Sequence, residues 1–189
     1  MRVERLAEAV RLIKRLFTED EVTFQGRYYD VKAAQARPVP VQRPGPPIMV
    51  AGGGRRILSL AAREADIVAP IPRTDRLGRP RRDEFARGAL ERQMRWIREE
   101  AGPRADRLEI NLLLVTTIVT YDRAAALAEL AGRLEQPESL VADSPFLALG
   151  SLEEIRTQLV RTRERFGITY FCVRGEHVDA LAPVARDLR

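Results

Sequence analysis

The sequence has one cysteine, one histidine and no long apolar run. A single cysteine, Cys172, excludes an internal disulfide and suits a reducing compartment, so the expected location is cytoplasmic. No apolar stretch approaches the roughly 20 residues needed to cross a bilayer. The N-terminal stretch MRVERLAEAVRLIKRLF is charged throughout and lacks the apolar centre of a signal peptide. Neither membrane insertion nor secretion is expected. No His, Cys or carboxylate cluster has the spacing of a metal site, so no metal is expected. No Lys-Ser or Lys-Thr follows the glycine-rich turn described below, which excludes a Walker loop, and its spacing is wrong for a Rossmann fingerprint.

What is present is ordinary for a globular chain: 189 residues, 45% hydrophobic and 31% charged, enough for one domain with a real core. The net charge of +5 raises the question of nucleic acid. The 32 basic residues are mostly arginine and are spread along helices among 27 acidic ones. Only Arg73 to Arg87 is locally basic, with Phe85 as its one aromatic and no stacking pattern. That stretch reads as a solvated loop, and no nucleic-acid partner is expected. Such a surface would also welcome an anionic small molecule.

Helical spacing of Val3, Leu6, Val10, Ile13 and Phe17 predicts an amphipathic helix over 2–17. Two β-prone runs, Val22–Phe24 and Tyr28–Val31, flank Gly26 and predict a hairpin over 22–31. Five prolines between 37 and 47 mark an extended connector. Strand–helix units then run from 47 to 188. Strands are expected at 47–51, 65–69, 108–120 and 168–173, with helices at 55–64, roughly 82–101, 123–134, 151–166 and 176–188. Asp122 caps one helix, Ser151 with Glu154 forms a capping box for another, and Gly102 and Gly167 end helices. Alternation of this kind implies parallel strands with helices packed outside. Four such units fall short of the eight strands and roughly 250 residues of a closed barrel.

The chemistry-bearing feature is Gly52-Gly53-Gly54 followed by Arg55-Arg56, where a short strand runs into the first turn of a helix. Glycine permits close backbone approach to a ligand. The helix start adds unpaired N–H donors and a positive dipole end, a cradle for phosphate. The alternative is a tight turn with no ligand.

The blocks RVERLAEAVRLIKRLFTEDEVTFQGRYYDV and RPVPVQRPGPPIMVAGGGRRILSLAAREADIV resemble, in order and spacing, the luciferase-like family of flavin and deazaflavin oxidoreductases. ERQMRWIREEAG, SPFLALGSLEEI and RERFGITYFCV are most similar to its F420-dependent oxidoreductase branch. The resemblance implies an α/β fold of the TIM (β/α)8 barrel type, with the cofactor at the C-terminal ends of the strands. It identifies the chain as the C-terminal half of such a protein: strands five to eight, a single partial barrel domain over 1–189, with an incomplete active site. It matches Gly52 and Gly53 to the backbone pair that holds the cofactor's phosphate or ribityl chain, and Arg55 and Arg56 to positions just beyond. Gly54 completes that turn. Arg174, after the last strand, is a further candidate phosphate contact; the alternative is a surface arginine. His177 reads as an exposed polar residue rather than a proton donor, Cys172 as packing, Asp66 as structural and Trp96 as core.

The implied activity is hydride transfer between F420, or alternatively FMN, and a small organic substrate. The implied partner is a second copy in a homo-oligomer, or a complementary half-barrel chain. The competing class is a non-catalytic remnant or binding module that keeps the fold alone.

Overall fold

The computed structural model describes residues 1–187. Helix α1 (Arg2–Thr18) buries Val10 and Leu12 and stops where Glu19 turns extended. An antiparallel hairpin follows, β1 (Val22–Gln25) with β2 (Asp30–Ala34), and Phe24 lies opposite Val31. The second strand begins at Asp30 rather than Tyr28, and the reason lies on α1. The carboxylate of Glu8 accepts from the amides of Arg27 (3.0 Å) and Tyr28 (2.8 Å), which holds the loop against the helix.

Four strands form one parallel sheet in the order β3 (Met49–Gly52), β4 (Ile67–Pro70), β5 (Glu109–Leu113), β8 (Tyr170–Cys172). The register pairs Gly52 with Pro70 and Leu113 with Cys172, so the C-terminal strand ends share one edge of the sheet. Asp66 latches the opposite edge: its Oδ2 accepts from Ile48 N (2.9 Å) while its own N–H donates to Ile48 O (3.0 Å). Its role is structural. Helices α2 (Arg55–Glu64) and α3 (Arg87–Ala101) cover one face, burying Leu58, Ala61, Ala62, Leu90, Met94 and Ile97 against Val68, Ile110 and Leu112. Burying a side chain of Leu or Ile size contributes about 1.5–3 kcal/mol, which makes this face the main source of stability.

The expected helix over 82–101 is divided. Arg82–Phe85 is a 3-10 turn, Ala86 is extended (φ −64°, ψ 146°), and α3 starts at Arg87. The break turns both Glu84 and Phe85 inward; Phe85 meets Phe146 edge-on at 6.4 Å.

The expected single strand over 108–120 changes partner midway. After β5, Leu114 N donates to Cys172 O and Val115 N to Phe146 O (both 2.8 Å). The chain then continues as β6 (Thr116–Val119), parallel to β7 (Leu147–Gly150). Between them lie α4 (Arg123–Leu134), capped by Asp122, and the short α5 (Glu138–Ala142). Neither α5 nor β7 is among the elements expected from the sequence, although all four residues of β7 are buried. Helices α6 (Leu152–Phe166) and α7 (Val178–Asp187) close a second cluster around Leu114, Ile155, Leu159 and Leu181. Gly175–His177 is a 3-10 turn rather than the start of α7, and position 188 of the expected last helix lies outside the described residues.

The expectation of a second half-barrel holding only strands five to eight is corrected. Among the described residues the chain carries eight strands of its own, β1 to β8, with flanking helices. The hairpin supplies two of them, the partner switch divides one run into two, and β7 adds another. The fold is α/β, with its strands in sheets of two, four and two.

The capping box at α6 is complete. Ser151 Oγ accepts from Glu154 N (3.3 Å), and Glu154 Oε2 accepts from Ser151 N (2.8 Å). Ser151→Ala is expected to cost about 1 kcal/mol, read from the midpoint of urea unfolding. The hydrogen bond from the Ser151 amide, first among its causes, lowers the Glu154 pKa. Its stabilisation is therefore present above the ordinary Glu range and is lost as pH falls through the lowered value. Glu154→Gln should flatten that acid limb.

Candidate functional site

The glycine turn sits where β3 delivers the chain to α2, and its three glycines have different reasons to be glycine. A Cβ on Gly52 would lie 2.3 Å from Ile57 Cγ2, because the first turn of α2 folds back over the strand end. A Cβ on Gly53 would meet backbone: Ile71 O at 2.6 Å, Arg73 N at 2.8 Å and Arg73 Cα at 2.9 Å. Gly53 is buried and faces protein, not ligand. Gly54 caps α2 in an extended conformation (φ −91°, ψ 154°), and a Cβ there would have nothing within 4 Å. Packing accounts for the first two glycines. It does not account for the third.

Among the described residues, the amides of Gly54, Arg55 and Arg56 donate to no partner. They are the free N–H groups of a helix start, where the dipole is positive. The turn is held from beneath by Gln93 of α3, which is wholly buried. Its Nε2 donates to Gly53 O (3.1 Å) and Ile71 O (2.8 Å), clamping the segment after β3 to the segment after β4.

The side chains of the expected arginines lead elsewhere. Arg55 reaches Glu99 of α3 (3.7 Å) and Arg56 reaches Glu4 of α1 (2.8 Å), both on the outer helical surface. Only their backbone amides belong to the turn. Arg174 is exposed and follows β8, three strand spacings from β3, roughly 14 Å away. It shares the sheet edge with the turn but is not brought to it.

A charge cluster that sequence reasoning missed is rooted at Arg73, whose main chain packs against Gly53. Glu84, 1% exposed, accepts through Oε1 from Arg73 Nε (2.8 Å), Arg73 Nη2 (2.5 Å) and Arg92 Nη2 (2.8 Å), while its Oε2 has no partner. Arg92 also stacks over Trp96, 5.6 Å from the ring centroid. The segment from Arg73 was read as solvated loop. Its one sequence signal was a carboxylate among arginines directly before a helix.

Elsewhere, Cys172 is partly buried and its Sγ accepts from Asn111 Nδ2 (3.1 Å). A hydrogen bond with that thiol is the first cause raising the Tyr170 pKa. His177 lies in the turn before α7, 3.8 Å from Glu176. A cavity of about 820 Å³ opens beside α6, far along the chain from the glycines. Its lining balances four arginines against four carboxylates, so it selects no charge.

A parallel sheet with a glycine turn and an open helix start at its C-terminal edge defines a protein of the α/β class. The chain belongs to the luciferase-like monooxygenase family, whose model matches residues 1–165. That match, running over nearly the whole chain, corrects the expectation of a mere C-terminal half. The chain is 46% identical over 65 residues to the F420-dependent glucose-6-phosphate dehydrogenase of Kineococcus radiotolerans, a stretch covering 34% of this chain and 19% of that protein. It is 34% identical over 65 residues, 34% of this chain and 18% of the relative, to the FMNH(2)-dependent dimethylsulfone monooxygenase of Pseudomonas putida. Among solved structures, an F420-dependent secondary alcohol dehydrogenase in complex with an F420-acetone adduct superposes with a TM-score of 0.67 at 16% identity, over 100% of this chain and 62% of that one. An EDTA monooxygenase from Chelativorans sp. BNC1 gives 0.68 at 14%, over 98% and 59%. The matched stretch spans about a fifth of the curated relatives, and the chain spans under two thirds of these structures. No helix among the described residues is long and apolar enough to cross a membrane.

The division of labour among the glycines is testable. Gly53→Ala is expected to destabilise by about 1–3 kcal/mol, because backbone must move to admit a methyl group. Gly54→Ala should stay within about 0.5 kcal/mol of the parent, since its backbone is already extended and its surroundings are open. Thermal unfolding of the two variants separates them.

Proposed function

We propose that the chain is an F420-dependent oxidoreductase module, in which the Gly52-Gly53-Gly54 turn holds the anionic tail of the deazaflavin for hydride transfer to or from a small organic substrate. The observation that carries this reading is Gly54, a helix-capping position with open space where a side chain would be and three free amides around it. The residues fit the group in part: the amides of Gly54, Arg55 and Arg56 suit a phosphate, while the side chains of Arg55 and Arg56 are engaged outward. The bound cofactor would supply the redox chemistry. The chain's own part is to fix the tail, with Gln93 holding the turn rigid so that the amides need no rearrangement on binding. The F420-dependent proteins among both the relatives and the structural neighbours support F420 over FMN. A cytoplasmic site of action fits the single cysteine. Copies are expected to associate, because β3 and β8 each pair on one side only and Met49 on β3 is 40% exposed.

The test is titration of F420 and of FMN into the protein, followed by cofactor fluorescence. Saturable binding at micromolar protein is expected. Gly54→Val, which fills the cradle, should weaken it at least about tenfold, or about 1.4 kcal/mol, while the protein stays folded. Binding of neither cofactor, or undiminished binding by Gly54→Val, overturns the proposal and leaves a module that keeps the fold alone. Sedimentation velocity checks association: a clean monomer at micromolar concentration rules it out.

A further inference from the structure

The amides of the turn supply partial charge only, and the two arginines that follow it in sequence point away. The residue whose main chain packs against the turn nonetheless carries a full cation. Arg73 has its backbone N and Cα at 2.8 and 2.9 Å from the point where a Cβ of Gly53 would lie, so its main chain touches the glycine segment. Gln93 fixes that approach by bonding Gly53 O and Ile71 O together. The Arg73 guanidinium is oriented by two hydrogen bonds to the buried Oε1 of Glu84, yet its side chain remains 37% exposed. Arg92 binds the same oxygen and is 33% exposed. Two guanidiniums thus share one carboxylate, which leaves one positive charge uncompensated at the functional edge of the sheet.

We propose that Arg73 is the side chain that meets the phosphate of the bound cofactor, with Glu84 and Arg92 as positioning residues that aim it. The proposal rests on the reading of the glycine turn as the cofactor cradle. It replaces Arg55 and Arg56, whose side chains run outward to Glu99 and Glu4, and Arg174, which lies across the sheet. Guanidinium suits the role because its planar fork can keep two donors on Glu84 and present others to phosphate oxygens.

The experiment compares ligands that differ only by phosphate: FMN against riboflavin, F420 against its phosphate-free deazaflavin, and inorganic phosphate alone. Trp96 is the single tryptophan and stacks with Arg92, so its fluorescence reports on the cluster independently of any activity. In the parent protein the phosphorylated ligand should bind at least about tenfold tighter than its phosphate-free partner. Arg73→Gln should bring that ratio close to one, Arg73→Lys should keep part of it, and Arg174→Gln should leave it unchanged. Phosphate alone should perturb Trp96 in the parent but not in Arg73→Gln, with thermal unfolding confirming that both are folded. An unchanged ratio in Arg73→Gln, or its loss in Arg174→Gln, overturns the assignment. If neither cofactor binds, the functional reading fails, and the phosphate response of Trp96 still decides whether Arg73 is an anion site.

Discussion

One buried carboxamide holds together everything that matters at this site. Gln93 has no exposed surface, and both of its donors' partners are main-chain carbonyls, one after β3 and one after β4. The orientation of the amide follows from chemistry, since two carbonyl acceptors demand the nitrogen side. Each such bond contributes only about 1 kcal/mol net, but an unmade one leaves a buried acceptor at a cost of about 1–3 kcal/mol. The clamp therefore acts more by forbidding alternatives than by adding stability. It forces the segment after β4 against the turn, and that contact is what makes a side chain at Gly53 impossible.

The same contact sets the electrostatics. Arg73 is carried to the turn by its backbone, and its head is then directed by Glu84, which the break at Ala86 has turned inward. A straight helix over 82–101 would have kept Glu84 on a solvated face. The irregular start of α3 is thus the local feature that gives an arginine-rich loop an oriented cation. The remaining ion pairs on α1 and α3, among them those of Arg55 and Arg56, are exposed and of the kind that contributes little.

Local signals made much of the fold legible. The amphipathic spacing of α1, the capping box of α6 and the glycine turn all depend on residues a few positions apart, and all are found where the sequence puts them. What escaped is non-local. Tyr28 is loop because Glu8 takes its amide, and the run from Leu108 is two strands because Cys172 and Phe146 offer different carbonyls to Leu114 and Val115. Counting strands from β-prone runs gave four in the sheet region, where the structure adds β7 and the split. The short run Phe146–Leu149, between Pro145 and Gly150, carries a strand signal only four residues long. At the site, sequence adjacency singled out Arg55 and Arg56, whereas the main chain packed across Gly53 is that of Arg73, which only the pairing of β3 with β4 brings in.

The orphaned oxygen of Glu84 bears on whether the cluster is there for stability. A buried carboxylate with one unpartnered oxygen pays a desolvation cost that its bonds to two half-exposed guanidiniums only partly offset, and apolar residues of similar volume often serve as well or better. Phe85 and Phe146 already fill the neighbouring core, so the position has no shortage of apolar packing. A carboxylate kept there against that cost does what a leucine cannot: it fixes the direction of Arg73 while leaving a positive charge to spare. Stability alone gives no reason for two guanidiniums to share one buried carboxylate; the proposed recognition of an anion does.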